Sequence, residues 1–286
     1  MSPHGCTVCN CTLAWFSRLA QLLETPKRSS AEDSMIAKFE EAVEAVIVGD
    51  LRSLERLLRQ NPKLVHQRST RSHQATLLHY VSANGVEGYR QKTPKNAVKI
   101  AERLLKNGAE VDAEANVYGG GATTLGLVGT SVHPFKAGVQ NPLMQVLLDQ
   151  GADINHPTSA GNEQSAVLGC LANGRPTAAR YLAERGARLN LESAAGVGNL
   201  EVVKSHFRAD GWRKSKVTKR QVTSALLTAC TWGQKNVVKF FLEQGVDLAT
   251  QLGDGQTPLH CAAIGGQLQT IKLLLKSKPP LEAKNI

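Results

Sequence analysis

The sequence predicts an all-α solenoid of stacked helix pairs, on three observations. First, short apolar helices alternate with glycine breaks. Residues 254–266 read as a glycine turn, a short helix opened by Thr257-Pro258 and a break at Gly265-Gly266. Leu268 to Leu275 then form a second helix, whose broad apolar face carries Ile271, Leu273, Leu274 and Leu275. Second, the pattern recurs 33 residues upstream, where Ser224 to Cys230 is followed by Gly233 and by Val237 to Leu242. Third, a Gly-Ala-x-x-Asn element ends successive segments at Gly151–Asn155 and Gly186–Asn190. Two short helices cannot bury such faces alone, so each pair needs a neighbour of its own kind.

The stretch DGQTPLHCAAIGG at 254–266, with the recurring Gly-Ala element, resembles ankyrin repeats. The repeats are irregular, as in bacterial-type ankyrin-repeat proteins. The resemblance runs roughly from Ile36 to Asn285 and implies stacked helix-turn-helix units with short or degenerate β-turn fingers. It also implies a non-enzymatic module that binds a protein through its fingers and the concave face of its inner helices.

Residues 1–34 fall outside the array and read as a tail, disordered or holding a short helix over Leu13–Leu23, with 29–34 a solvated linker. Residues 35–286 then hold about seven helix pairs. Ala42, Val43, Val46 and Ile47 line the first helix; Leu51, Leu54, Leu57 and Leu58 line its partner, which Asn61-Pro62 stops. The charged outer positions of this pair suit a terminal cap. Unit two opens at Thr76 and resumes at Asn96–Lys106, with residues 86–95 inserted between its helices. Unit three opens at Thr123 and resumes at Leu143–Gln150, with 131–141 inserted at the equivalent place. Tyr118-Gly119-Gly120-Gly121 lies where a finger turns. Unit four spans Ala166–Gly174 and Ala178–Arg185. Unit five is shortened, with its second helix ending at Phe207. A polar, basic loop over 208–219 leads to units six and seven. The last unit keeps Ile264, Ile271 and Leu274 at its open end: either it is the cap or the array is cut short, and a frayed or self-associating C-terminal end is expected.

The net charge of +10 is compatible with acidic proteins, nucleic acid or membrane surfaces. Cys170, Cys230 and Cys261 fall on inner helices as small apolar residues, which suits a reducing, cytoplasmic location. No apolar run is long enough to span a bilayer. Cys6, Cys9 and Cys11 beside His4 read as half a zinc site or as plain tail, since no second ligand pair lies nearby. The glycines at 119–121 lack the Lys-Ser/Thr ending of a phosphate loop. His79 and His260 follow a threonine by three positions and are read as local hydrogen-bonding residues. No catalytic, cofactor-binding or metal set is expected, and no cofactor.

Three surfaces remain as binding candidates. The two insertions emerge side by side and offer Tyr89, Arg90, Lys92, Lys95, His133, Phe135 and Lys136. They read either as an aromatic and cationic surface for an acidic peptide or as loops that pack on each other. The concave face is expected around Ser82, Asn84, Thr130, Asn173, Thr231, Trp232 and Ile264, with Trp232 either an exposed anchor or packed. The alternative is anion or nucleic-acid binding through Lys204, Arg208, Arg213, Lys214, Lys216, Lys219 and Arg220, with Trp212 among them; a solvated charge run is the plain reading.

Overall fold

The computed structural model describes residues 30–156, 165–208, 214–253 and 255–284. Seven helix pairs stack in these residues: α1 (Ser30–Val48) with α2 (Leu51–Gln60), α3 (Leu77–Tyr80) with α4 (Ala97–Lys106), and α5 (Thr124–Thr130) with α7 (Gln140–Asp149). Then come α8 (Ala166–Ala172) with α9 (Pro176–Glu184), α10 (Leu191–Val197) with α11 (Leu200–Lys204), α12 (Lys219–Thr231) with α13 (Lys235–Glu243), and α14 (Pro258–Ile264) with α15 (Leu268–Lys276). The short α6 (Val132–Lys136) sits inside unit three. A finger hairpin pairs β1 (Glu114–Ala115) with β2 (Ala122–Thr123), in register Glu114 with Thr123 and Ala115 with Ala122. The all-α solenoid with degenerate fingers is the architecture found.

Five of the inner helices start where a short polar side chain replaces the missing backbone partner of the first turn. Thr123, Ser165, Asn190, Thr218 and Thr257 accept from the amides of Gly126, Leu168, Ser193, Gln221 and His260. Across units, side-chain amides bind the carbonyls that end the preceding inner helix. Asn96 Nδ2 donates to Gly49 O at 2.8 Å, Gln234 Nε2 to Gly196 O at 2.8 Å and Gln267 Nε2 to Thr231 O at 3.2 Å. Such close approach needs glycine at Gly265, where an added Cβ would lie 2.0 Å from Thr231 O.

The inner helices α1, α3, α5, α8, α10, α12 and α14 pack in succession. Their buried apolar side chains form two clusters, one from Phe39 to Ala187 and one from Leu191 to Leu274. Leu189 touches both, and Val197 and Trp232 of the second part pack on the first. Leu227 is buried in α12, which packs on both α10 and α14. Leu227→Ala should therefore cost about 2–5 kcal/mol in urea denaturation. Faster amide exchange should reach α10 and α14, since neighbours stabilise each unit. A loss below about 1 kcal/mol would contradict this packing.

Several boundaries differ from the sequence reading. Residues 30–34 are not linker but the exposed start of α1, which crosses the expected limit at residue 34. Residues 131–141 are not a plain loop: Ser131 caps α6, and α7 starts early because Gln140 is buried and donates to Val128 O at 2.9 Å. In unit five α11 stops at Lys204, and Phe207 follows it, packed against Phe240 at 5.2 Å. Lys219 and Arg220 lie in the first turn of α12 rather than in a loop, because Thr218 and Gln221 form a capping box. At the open end Leu274 is buried, whereas Ile264, Leu268 and Leu275 are exposed. The cysteine and histidine cluster at residues 4–11, the helix expected over 13–23, and Arg213 with Trp212 lie outside the described residues.

Candidate partner-binding groove

The finger and the inner helices of units two to four enclose a groove of about 500 Å3. Asn84, Thr130 and Asn173, three of the expected concave positions, line it. A chain of hydrogen bonds fixes its shape. Tyr118 OH donates to Asn84 Oδ1 at 2.7 Å, Asn84 Nδ2 to Thr130 Oγ1 at 3.0 Å, and Thr130 Oγ1 to Gly126 O at 3.1 Å. Tyr118 reaches this position from a left-handed backbone (φ 53°), followed by three left-handed glycines at 119–121. The finger tip packs tightly on unit two, since a Cβ on Gly85 would lie 2.9 Å from Val117 Cγ2. These glycines serve a turn, as their surroundings in the sequence suggest.

The two insertions do meet at this groove, for Gln91 of the first and Val132 and His133 of the second share its wall. Their side chains divide between two roles. Tyr89, Lys92, Lys95, Phe135 and Lys136 are exposed and His133 is half-buried. Arg90 is a correction: only 6 % exposed, it points into the protein. Its Nη1 lies 2.7 Å from Glu40 and 3.6 Å from Glu87, and its Nη2 lies 3.2 Å from Glu44. Arg71 bridges Glu40 and Glu87 as well. Burial alone would lower the Arg90 pKa; the Glu40 and Glu87 carboxylates outweigh it and raise it. The first insertion is thus bolted to α1, and Arg90 leaves the set of partner-facing residues.

Other concave positions also sort by burial. Ser82 is fully buried, its hydroxyl donating to His79 O at 2.6 Å, so it is no surface residue. Thr231 lines a smaller hollow shared by units five to seven, and Ile264 is exposed. Trp232 is half-buried against the first apolar cluster, between the two expected states. The histidines serve their own helix starts, the Nδ1 atoms of His79 and His260 accepting from the backbone amides of Thr76 and Thr257 at 3.1 and 3.2 Å; His79 Nε2 in addition reaches Ala122 O of the finger at 3.2 Å.

Sequence reading missed Arg175, which lines the groove with Asn173 and His133. It follows Gly174 in an ordinary turn before Pro176, and no spacing marks it. Asp153 and His156 form part of the groove wall too, and His156 Nε2 lies 2.9 Å from Glu114.

The basic segment builds a second groove, of about 590 Å3, where α11 leaves and α12 begins. Arg208, Lys214 and Lys216 are exposed on it beside His206, with no carboxylate among its described lining. Lys204 is tied to Glu201 at 3.2 Å; Lys219 and Arg220 are exposed on α12.

The described residues hold no group of three or more His, Cys, Asp or Glu side chains placed to bind a metal ion. No described helix is long and apolar enough to cross a membrane. Burial pushes the Cys170 thiol up to about 12, far from a nucleophile's range. Residues 191–285, units five to seven, match the family model for ankyrin repeats, in three copies. Units five to seven are ankyrin repeats. Ankyrin repeats are generally protein–protein interaction modules and typically non-catalytic. The groove lies outside the matched span, in the units before it.

Proposed function

We propose that this protein is a non-enzymatic adaptor that binds a partner protein in the concave groove of units two to four. The exposed insertion residues Tyr89, Lys92, Lys95, Phe135 and Lys136 flank the contact. The observation that carries this reading is the preset shape of the groove, held by the Tyr118–Asn84–Thr130 hydrogen-bond chain. A preset site spends little binding energy on ordering itself. We place the protein in the cytoplasm, because Cys170, Cys230 and Cys261 are buried free thiols. The array is taken as one domain that begins in α1 and runs to the end of the chain, after a tail.

A photo-crosslinking residue at Asn173 should give discrete protein adducts in cell extract. The same residue at Val48, exposed on α1, should give none of them. Adducts from Val48 but not Asn173 would reject the groove as the binding face.

The second reading, anion or nucleic-acid binding at the basic segment, is favoured by the acid-free lining of the Arg208–Lys214–Lys216 groove. It takes over if crosslinking is confined to position 208 and is abolished by nuclease.

A further inference from the structure

We propose that Arg175, seated on the Phe135 ring at the groove, is the anchor for an oxyanion carried by a bound peptide. The inference rests on the groove being the partner-binding face, and adds what the partner must carry. The Arg175 guanidinium lies 5.0 Å over the Phe135 ring centroid. Its Nε donates to Ser131 O at 3.2 Å and its Nη1 to Gly174 O at 2.7 Å. The first bond crosses from unit four to unit three, so the planar group is held in one orientation before anything binds. Arg56, Arg71, Arg90 and Arg103 each pair with a carboxylate. Arg175 has no such ion pair among the described residues.

The chemistry follows from the donors left over. A guanidinium carries five N–H groups in a rigid fork. With Nε and one Nη1 hydrogen engaged, the Nη2 pair and the other Nη1 hydrogen are left to bind a ligand. That fork fits a carboxylate or a phosphate with two parallel bonds. Fixing it on an aromatic ring removes much of the entropy cost that a free arginine would meet on binding. His133 and Asn173 line the groove with it and supply further polar contacts. On the finger side, Asp153 lines the groove, and Glu114 lies against the lining residue His156. Like charge there disfavours a second oxyanion, so the groove has a direction. A peptide with a carboxylate or phosphorylated side chain at one place, set against Arg175, satisfies both ends.

The test is a selection of short random displayed peptides on the full chain, followed by titration of the synthetic consensus peptide. An Asp or Glu should recur at one position, and its change to Asn or Gln should weaken binding roughly 10- to 100-fold. Replacing it by phosphoserine should keep or improve binding if the fork reads either oxyanion. Loss of binding with phosphoserine assigns the site to carboxylates. Arg175→Gln should weaken the acidic peptide by the same factor, and the neutral peptide hardly at all. Because the peptide-side change leaves the protein untouched, instability of the variant cannot mimic the result. Peptides that compete with crosslinking at Asn173 but carry no acid, or ignore Arg175→Gln, overturn this inference and leave the proposed function standing. Peptides that bind away from position 173, or no enriched peptide, overturn both.

Discussion

Replacing Arg90 by alanine lowers the stability of the array by about 3 kcal/mol, near the lower end of the loss seen when one partner of a buried ion pair is removed. The guanidinium side chain is 7 % exposed and faces Glu40, Glu44 and Glu87, whose side chains are 25 %, 52 % and 17 % exposed. Without it, Glu40 and Glu87 keep Arg71 as their shared cation. The half-exposed Glu44 is rewetted at little cost, which holds the effect away from the upper end of the range. Arg90→Lys falls between, since one ammonium cannot span three carboxylates with the geometry of a fork. Urea denaturation of the two variants, with Glu40→Gln added to each, measures the coupling. A change below about 0.5 kcal/mol for Arg90→Ala, as at an ordinary surface site, would mean that the ion pairs clamp nothing.

Acid should weaken the protein well before its carboxylates protonate, through His79. This imidazole is fully buried. Nδ1 accepts from the Thr76 amide at 3.1 Å, and Nε2 lies 3.2 Å from Ala122 O, which fixes the neutral Nε2–H form. Burial lowers its pKa from 6.5 to about 4. A histidine whose folded pKa is depressed stabilises the fold above the unfolded value of 6.5, where both states are neutral. That contribution is lost as pH falls towards 4, because the unfolded chain takes up the proton first. The loss across that window is about 3 kcal/mol, at 1.36 kcal/mol per unit. His73 is shifted in the same direction, by burial working against Glu87, and adds to the fall. His79→Gln separates the contributions. Glutamine serves at the same capping-box position in α12, where Gln221 pairs with Thr218, so the helix start survives while the titration disappears. Denaturation midpoints at several pH values between 7.5 and 4 should fall more steeply for the wild type than for His79→Gln. Parallel curves would refute the assignment.

What the sequence discloses and what it conceals follow from distance along the chain. The helix pairs, the starts at Thr123 and Thr257, and the local role of His260 depend on residues three or four apart, and the pattern carries them. The finger turn at Tyr118–Gly121 is legible because glycine is the residue that tolerates such backbone angles. Arg90 was misread because its partners Glu40 and Glu44 sit a whole unit away, and a basic residue in a loop looks solvated until the fold closes over it. The groove shares that origin: Tyr118, Asn84 and Thr130 come from two units and a finger, and only stacking joins them. Arg175 was invisible because its distinguishing features are a ring from another unit and the absence of a carboxylate partner among the described residues. The start of α12 slipped because three cations at 216–220 masked the Thr218 cap.

The place where the apolar interior divides carries its own optical probe. Trp232 belongs to unit six yet rests, half-covered, on the cluster that ends at Ala187. It is the sole tryptophan among the described residues; Trp15 and Trp212 lie outside them. An indole half in water and half against aliphatic side chains shifts its emission when that cover changes. With Trp15 and Trp212 replaced by phenylalanine, the fluorescence of this chain becomes a gauge of how firmly its last three units sit against those before them, whether or not a partner fills the groove.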